Sequence, residues 1–129
     1  MCREGAEQRI DGEILICDTE EEYVKRLAEA LLLKKEVTAG VRICSSPEMV
    51  QELLKIGCVK VLLISEDVPY EKRKQTFSGK RIILTRQHCV DLGADETELR
   101  KYQPVDGLMT GILKGLQEER LTGSCADHG

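Results

Sequence analysis

Residues 59–65, VKVLLIS, form a nearly unbroken apolar run. A strand this apolar must be covered on both faces, which is the setting of a parallel sheet flanked by helices. The rest of the chain supplies the partners. Ile14–Cys17 (ILIC) reads as a second buried strand, and Tyr23, Val24, Leu27 and Leu31 follow at helical spacing. Thr19-Glu20-Glu21-Glu22 fits a capping box, so the first helix is predicted over about residues 20–34. Val41–Cys44 is another short strand. Ser46 then offers an N-cap before Pro47 at the first helical position, with Met49, Val50, Leu53 and Leu54 on one face. Arg81–Thr85 (RIILT) is predicted as the fourth strand in chain order and Glu98–Tyr102 as the fifth. Pro104 opens a last helix with Val105, Leu108, Met109, Ile112 and Leu116 on one side. Residues 66–80 are charged and contain Pro69 and Gly79, leaving room for one short helix. Residues 86–96 are polar around Gly93 and leave less.

Strands alternating with helices imply an α/β three-layer sandwich with right-handed crossovers. With five parallel strands the expected order is 2-1-3-4-5, a flavodoxin-like (CheY-like) fold with shortened third and fourth helices. One domain is expected over residues 13–120, with 1–12 a flexible N-terminal segment and 121–129 a flexible tail or the start of a linker. Only 3% of the 129 residues are aromatic, so the core must be aliphatic and a base-stacking platform is excluded. A net charge of −4 argues against binding the phosphates of duplex DNA. The basic residues Lys72, Arg73, Lys74, Lys80 and Arg81 read as solvated loop and strand ends. The apolar run Leu27–Leu33, broken by Glu29, is far short of the roughly 20 residues that span a bilayer. The N-terminus lacks the apolar stretch of a signal peptide, so a cytoplasmic location without membrane contact is expected. The six cysteines show no C-x-x-C spacing. Cys17, Cys44 and Cys58 therefore read as small buried hydrophobes. His88 and His128 have no partners at catalytic or metal-ligand spacing.

In an open sheet of this kind, ligands bind beyond the carboxyl ends of the strands. That rim is expected to carry Asp18, Thr19, Glu20, Ser65, Glu66, Asp67 and Thr85. Acids around residues 18–22 suit the free N–H groups and dipole of a helix N-terminus. The same carboxylates are of the type that binds Mg²⁺.

Over about residues 13–119 the chain resembles the receiver domain of bacterial two-component response regulators. That family carries an acidic pair after strand one and a phospho-accepting Asp after strand three, with a Pro four residues on. It also has a Ser/Thr after strand four and a Lys at the end of strand five. Asp18 matches the first acid, with Thr19 at the second position and Glu20 just beyond. Pro69, Thr85 and Lys101 match the Pro, the hydroxyl and the Lys. Ser65 stands at the acceptor position. Receiver chemistry needs a carboxylate nucleophile and Mg²⁺, so the resemblance implies a degenerate phospho-site made of Asp18, Thr19, Glu20, Ser65, Thr85 and Lys101. Without a phosphoryl group, Lys101 is expected to pair with Asp18 or another rim acid. The alternative is a phosphorylatable receiver with a displaced acceptor, Asp67 or Glu66, and Mg²⁺ held by Asp18, Glu20 and Asp67.

Lys101-Tyr102-Gln103 with Asp106 resembles a segment of the atypical N-terminal receivers of CpaE/TadZ-type pilus-assembly ATPases. The resemblance implies a MinD/ParA-type ATPase as partner, although no G-x-x-x-x-G-K-[ST] occurs in this chain. Gly107, Gly111 and Gly115 recur every four residues, each at a cost of roughly 1 kcal/mol to a helix. They form a smooth stripe that suits close approach of another backbone, such as a second copy, or belong to a helix held by tertiary packing that tolerates glycine. The expected interaction face is thus Lys101, Tyr102, Gln103, Asp106, Gly107, Gly111 and Gly115. The resulting expectation is a non-catalytic, homodimerising module that recruits or localises an ATPase or secretion/pilus machinery, with no cofactor. A third reading takes Cys17, at the end of the first strand, as the nucleophile of a thiol phosphotransfer enzyme. The acids that follow it would repel phosphate and raise its pKa.

Overall fold

Short apolar runs become strands here because both of their faces are covered. In the computed structural model the described residues are 10, 12–86, 92–94 and 96–128, with the side chains of 117–128 excepted. The elements are β1 (Glu13–Cys17), α1 (Glu21–Leu32), β2 (Val41–Cys44), α2 (Pro47–Leu54), β3 (Val59–Ser65), α3 (Tyr70–Thr76), β4 (Lys80–Thr85), β5 (Glu96–Arg100) and α4 (Val105–His128). All strand pairs are parallel and the order is β2-β1-β3-β4-β5, as the alternation predicts. Alternate residues of β1, β3 and β4 feed two cores. Ile14, Ile16, Val61, Leu63, Ile82 and Leu84 pack under α1 and α4, whose Leu27, Leu31, Leu108 and Ile112 complete that layer. Leu15, Cys17, Leu62, Ile64 and Ile83 pack on the other face with Cys44 and Val50.

Several boundaries differ from the sequence reading. Ile10, placed in the N-terminal segment, is fully buried; its N–H donates to Glu36 O at 2.8 Å and its carbonyl accepts from Thr38 Oγ1. The chain then turns at Gly12, whose φ of +138° suits glycine, and a Cβ there would stand 3.0 Å from Cys58 O. The N-cap of α1 is Glu20, not Thr19, because Asp18 Oδ1 accepts the Glu20 N–H at 2.9 Å. Strand β5 starts two residues earlier than expected, since Glu96 pairs with Arg81. That puts Lys101 just past the strand end. The third helix is short as expected, whereas the segment expected to hold a shortened fourth lies largely outside the described residues (87–91 and 95). The backbone of 121–128, expected as a tail, continues α4, and no proline after Pro104 stops it. Cys58 is exposed, unlike Cys17 and Cys44.

One further expectation is overturned: the basic residues at 73, 80 and 81 are buried and do not face solvent. Arg73 and Arg81 are 0% and 1% exposed and converge on Glu96 at 2.7 Å and 2.8 Å. Their guanidinium groups also donate to Val68 O and Phe77 O, both at 2.6 Å. Helix α3 has almost no apolar face, so this cluster is its seat on the sheet. Of the two readings of the glycine stripe, its contacts accord with packing inside the chain, since the stripe turns toward the chain's own sheet and its own helix. A Cβ on Gly111 would lie 2.4 Å from Leu99 Cδ1, and Gly115 sits over Ile82, Lys80 and Thr97. A Cβ on Gly107 would meet the Gln103 side chain. Glycine lets α4 lie close on β4 and β5.

Candidate functional site

Lys101 follows β5 directly, and its N–H donates to Thr85 O at 2.8 Å, fixing it at the carboxyl end of the sheet. Tyr102 then adopts φ +67°, a left-handed conformation uncommon for a bulky residue, as the chain turns into α4. The ammonium of Lys101 has no exposed side-chain surface. A buried charge must be paired. Lys101 Nζ donates to Asp18 Oδ2 at 2.9 Å and to Glu20 Oε1 at 2.5 Å. The rings of Tyr23 and Tyr102 close the remaining sides, with centroids 4.9 Å and 5.3 Å from Nζ, a cation–π distance for both. They meet edge to face, 5.2 Å apart. The Tyr102 hydroxyl donates to Glu20 Oε1.

Burial opposes the charge on Lys101, but its hydrogen bonds to Glu20 and Asp18 prevail and raise its pKa. The hydrogen bonds of Lys101 and Tyr102 hold Glu20 below the usual carboxylate range. Lys101 therefore pairs with Asp18, as expected, and also with Glu20.

The remaining rim residues are occupied elsewhere. Ser65 is 3% exposed, and its Oγ accepts the Asp67 N–H at 3.0 Å. Thr85 Oγ1 donates to Glu98 Oε2 at 2.9 Å. Thr19 is exposed. Pro69 precedes α3 as its N-cap. Asp67 takes the Arg86 guanidinium at 2.7 Å and 3.3 Å, and Glu66 Oε2 accepts the Arg86 N–H at 2.8 Å. The hydrogen bond from Arg86 lowers the Asp67 pKa. The rim is thus divided: Asp18 and Glu20 serve Lys101, and Glu66 and Asp67 serve Arg86.

The three carboxylates expected to hold Mg²⁺ are engaged with cations of the chain: Asp18 and Glu20 share the Lys101 ammonium, and Asp67 holds the Arg86 guanidinium. Among the described residues, no three carboxylate, thiol or imidazole groups form a metal-binding cluster.

Cys17 is 1% exposed, and its thiol is pushed well above the usual range by its hydrogen bond to Cys44 and by burial. A thiol held protonated is a poor nucleophile. Of the expected interaction face, Tyr102 is 57% exposed, Gln103 donates to Arg100 O at 2.7 Å and Asp106 pairs with Lys34 of the segment after α1. His88 and the side chain of His128 lie outside the described residues. Among the described residues no helix is long and apolar enough to cross a membrane.

Sequence reasoning took Tyr23 only as a position on a helix face and gave no role to Arg86, Glu96 or Glu98. The scarcity of aromatics was the one available signal for Tyr23. The others bond to residues distant in sequence, and nothing local marks them.

No family model matches the chain, and no curated protein matches it. Solved structures do. The N-terminal domain of a response regulator/sensory box/GGDEF three-domain protein from Carboxydothermus hydrogenoformans is 16% identical; the match covers 85% of this chain and 98% of that one, at a TM-score of 0.65. The receiver domain of the Francisella response regulator 1452 is 15% identical over 84% and 99% of the two chains, at 0.64. The signal receiver domain of the response regulator NarL from Mycobacterium tuberculosis is 14% identical over 83% and 94%, at 0.54. The chain has the fold of these receiver domains.

Proposed function

We propose that this chain is a receiver-like regulatory module that works by contact with other proteins and accepts no phosphoryl group. The observation that carries this reading is the pairing of Lys101 with both Asp18 and Glu20 beside a serine at the acceptor position. Phosphoryl acceptance in this fold needs three things together: an acceptor carboxylate, acids free to bind Mg²⁺ and a lysine free to grip the phosphoryl oxygen. Ser65 supplies a hydroxyl, both acids share the Lys101 ammonium, and the lysine is held.

The module's output is then a fixed surface. We place it at the α4 and β5 end, where the Tyr102 ring is exposed beside Gln103. Homodimerisation and recruitment of a MinD/ParA-type ATPase or pilus machinery in the cytoplasm belong to this proposal, on the likeness of Lys101-Tyr102-Gln103 and Asp106 to CpaE/TadZ-type receivers. No enzymatic activity and no nucleic-acid or membrane ligand is part of it. Light scattering across a concentration series tests the homodimer, and a monomer throughout removes that part.

The test of the core reading is an amide NMR titration with Mg²⁺ and then beryllofluoride, the phosphoryl mimic. Unchanged signals at Ser65, Asp67, Thr85 and Lys101 are expected. Saturable shifts centred on Glu66, Asp67 and Arg86 would instead establish the displaced-acceptor receiver, with Arg86 releasing its carboxylates.

A further inference from the structure

Cys17 and Cys44 are the last residues of β1 and β2, and they are register partners in the parallel pair. Adjacent strands lie about 4.8 Å apart, inside the range of roughly 4.4–6.8 Å between Cα atoms that a disulfide spans. Both side chains project to the same face of the sheet, into the core shared with Leu15, Ile64 and Val50. Cys44 Sγ donates to Ser46 O at 3.6 Å, which keeps its side chain at the strand end beside Cys17. The Asp18 N–H donates to Cys44 O at 3.2 Å, so the strand ends hold their register up to the last residue.

The two thiols differ in access. Cys17 is 1% exposed and Cys44 is 7% exposed. Cys44 lines a cleft of about 190 Å³ together with Asp18, Ile43, Ser45 and Met49. A small uncharged oxidant can enter there, whereas the core side is closed. Cys44, the more exposed of the two, is therefore the thiol that an oxidant reaches first.

We infer that Cys17 and Cys44 are a reversible dithiol/disulfide site, oxidised by a peroxide that enters the cleft beside Cys44. The Cys44 thiolate attacks one peroxide oxygen. The O–O bond breaks, the departing oxygen leaves as water with the proton that the thiol gave up, and a sulfenic acid forms. Cys17 is a poor nucleophile toward an outside reagent, but its register pairing sets it beside the sulfenic acid, and its sulfur then attacks the Cys44 sulfur as its proton passes to the departing oxygen. An S–S bond forms, the S–O bond breaks, and the second water leaves with the Cys17 proton. The two thiols lose two electrons and two protons, and one peroxide becomes two waters. The new bond clamps β1 to β2 one residue before Asp18, independently of whether the rim accepts a phosphoryl group.

The test uses the full chain, hydrogen peroxide, alkylation of remaining thiols and tryptic peptide mapping. Cys17 is the single cysteine of residues 10–25 and Cys44 that of residues 43–55, so their cross-link is unambiguous. The expected product is these two peptides joined with the loss of two hydrogen atoms, and separated again by a dithiol reductant. Cys58→Ser should leave the cross-link intact and Cys44→Ser should abolish it. Three outcomes would overturn the inference. One is alkylation of Cys17 and Cys44 equal to that in untreated protein. Another is oxidation of Cys44 to the sulfinic acid without a cross-link. The third is a yield of this cross-link as high in urea as in the folded chain, because proximity in the fold would then not be its cause.

Discussion

Two buried ion clusters hold the two halves of this molecule, and they are built differently. At the rim, Lys101 stands between Asp18 and Glu20, with Glu20 still 38% exposed. On the flank, Glu96 stands between Arg73 and Arg81 with no exposed side-chain surface on Glu96 or Arg73 and 1% on Arg81. The rim cluster occupies residues that the receiver likeness ties to chemistry, and its open side lets one carboxylate be rehydrated. The flank cluster fastens α3, whose buried residues are Arg73 and Thr76 and which has no apolar stripe to bury. Similar ionic chemistry thus serves a site in one place and replaces hydrophobic packing in the other. Enclosure decides how much each cluster matters to stability.

Glu96→Ala is expected to give the largest effect, a loss of about 3–5 kcal/mol in urea unfolding, because it removes the shared carboxylate from two enclosed guanidinium groups. A loss under about 1 kcal/mol would mean that their bonds to Val68 and Phe77 carbonyls suffice, and the contrast between the clusters would disappear. Lys101→Met leaves Asp18 buried without its partner. Its expected cost is about 2–3 kcal/mol, below the range for a fully enclosed pair because Glu20 can turn to water. A cost equal to that of Glu96→Ala would show that the rim is as closed as the flank.

Gly111→Leu touches neither cluster and measures the apolar seat of α4 for reference. Overpacking against Leu99 should destabilise the monomer by about 1–3 kcal/mol. An unchanged unfolding midpoint with altered self-association would restore the glycine stripe as a surface. Glu20→Gln should cost at most about 1 kcal/mol, since the pair it weakens is partly solvated.

The pH dependence sharpens the same contrast. Glu20 and Glu96 are both held below their ordinary pKa. For Glu20 the cause is hydrogen bonding by Lys101 and Tyr102; for Glu96, burial opposes the lowering but hydrogen bonds from Arg73 and Arg81 prevail. The stability they contribute is present above about pH 4.3, the unfolded value, and is lost as pH falls through the folded values. Urea unfolding of Glu20→Gln across the acid range should show a shallower loss than the parent chain. Lys101 has the opposite sign. Its raised pKa contributes stability fully below about pH 10.4, and that contribution is lost as pH rises through the folded value. The gap between Lys101→Met and the parent should narrow at high pH, and a constant gap would mean the lysine acts through its stem alone.

The sequence by itself determined the layer architecture and strand order. Apolar runs such as VKVLLIS and the 3.6-residue periodicity of α1 and α4 are local signals, and hydrophobic burial reads them directly. The receiver resemblance placed Ser65 and Lys101 at strand ends and implied a pair between Lys101 and Asp18 or another rim acid; the structure pairs it with Asp18, 83 residues away in the chain, and with Glu20. Only the tertiary structure decided where the other charges and small residues face. Arg73 and Arg81 carry no local mark that separates a solvated cation from a buried one, since the carboxylate that makes burial tolerable, Glu96, arrives from 23 and 15 residues away. The glycines of α4 likewise state that something approaches closely. That the approaching group is Leu99 of the chain's own sheet follows from packing, because a missing Cβ has no direction until the helix is docked.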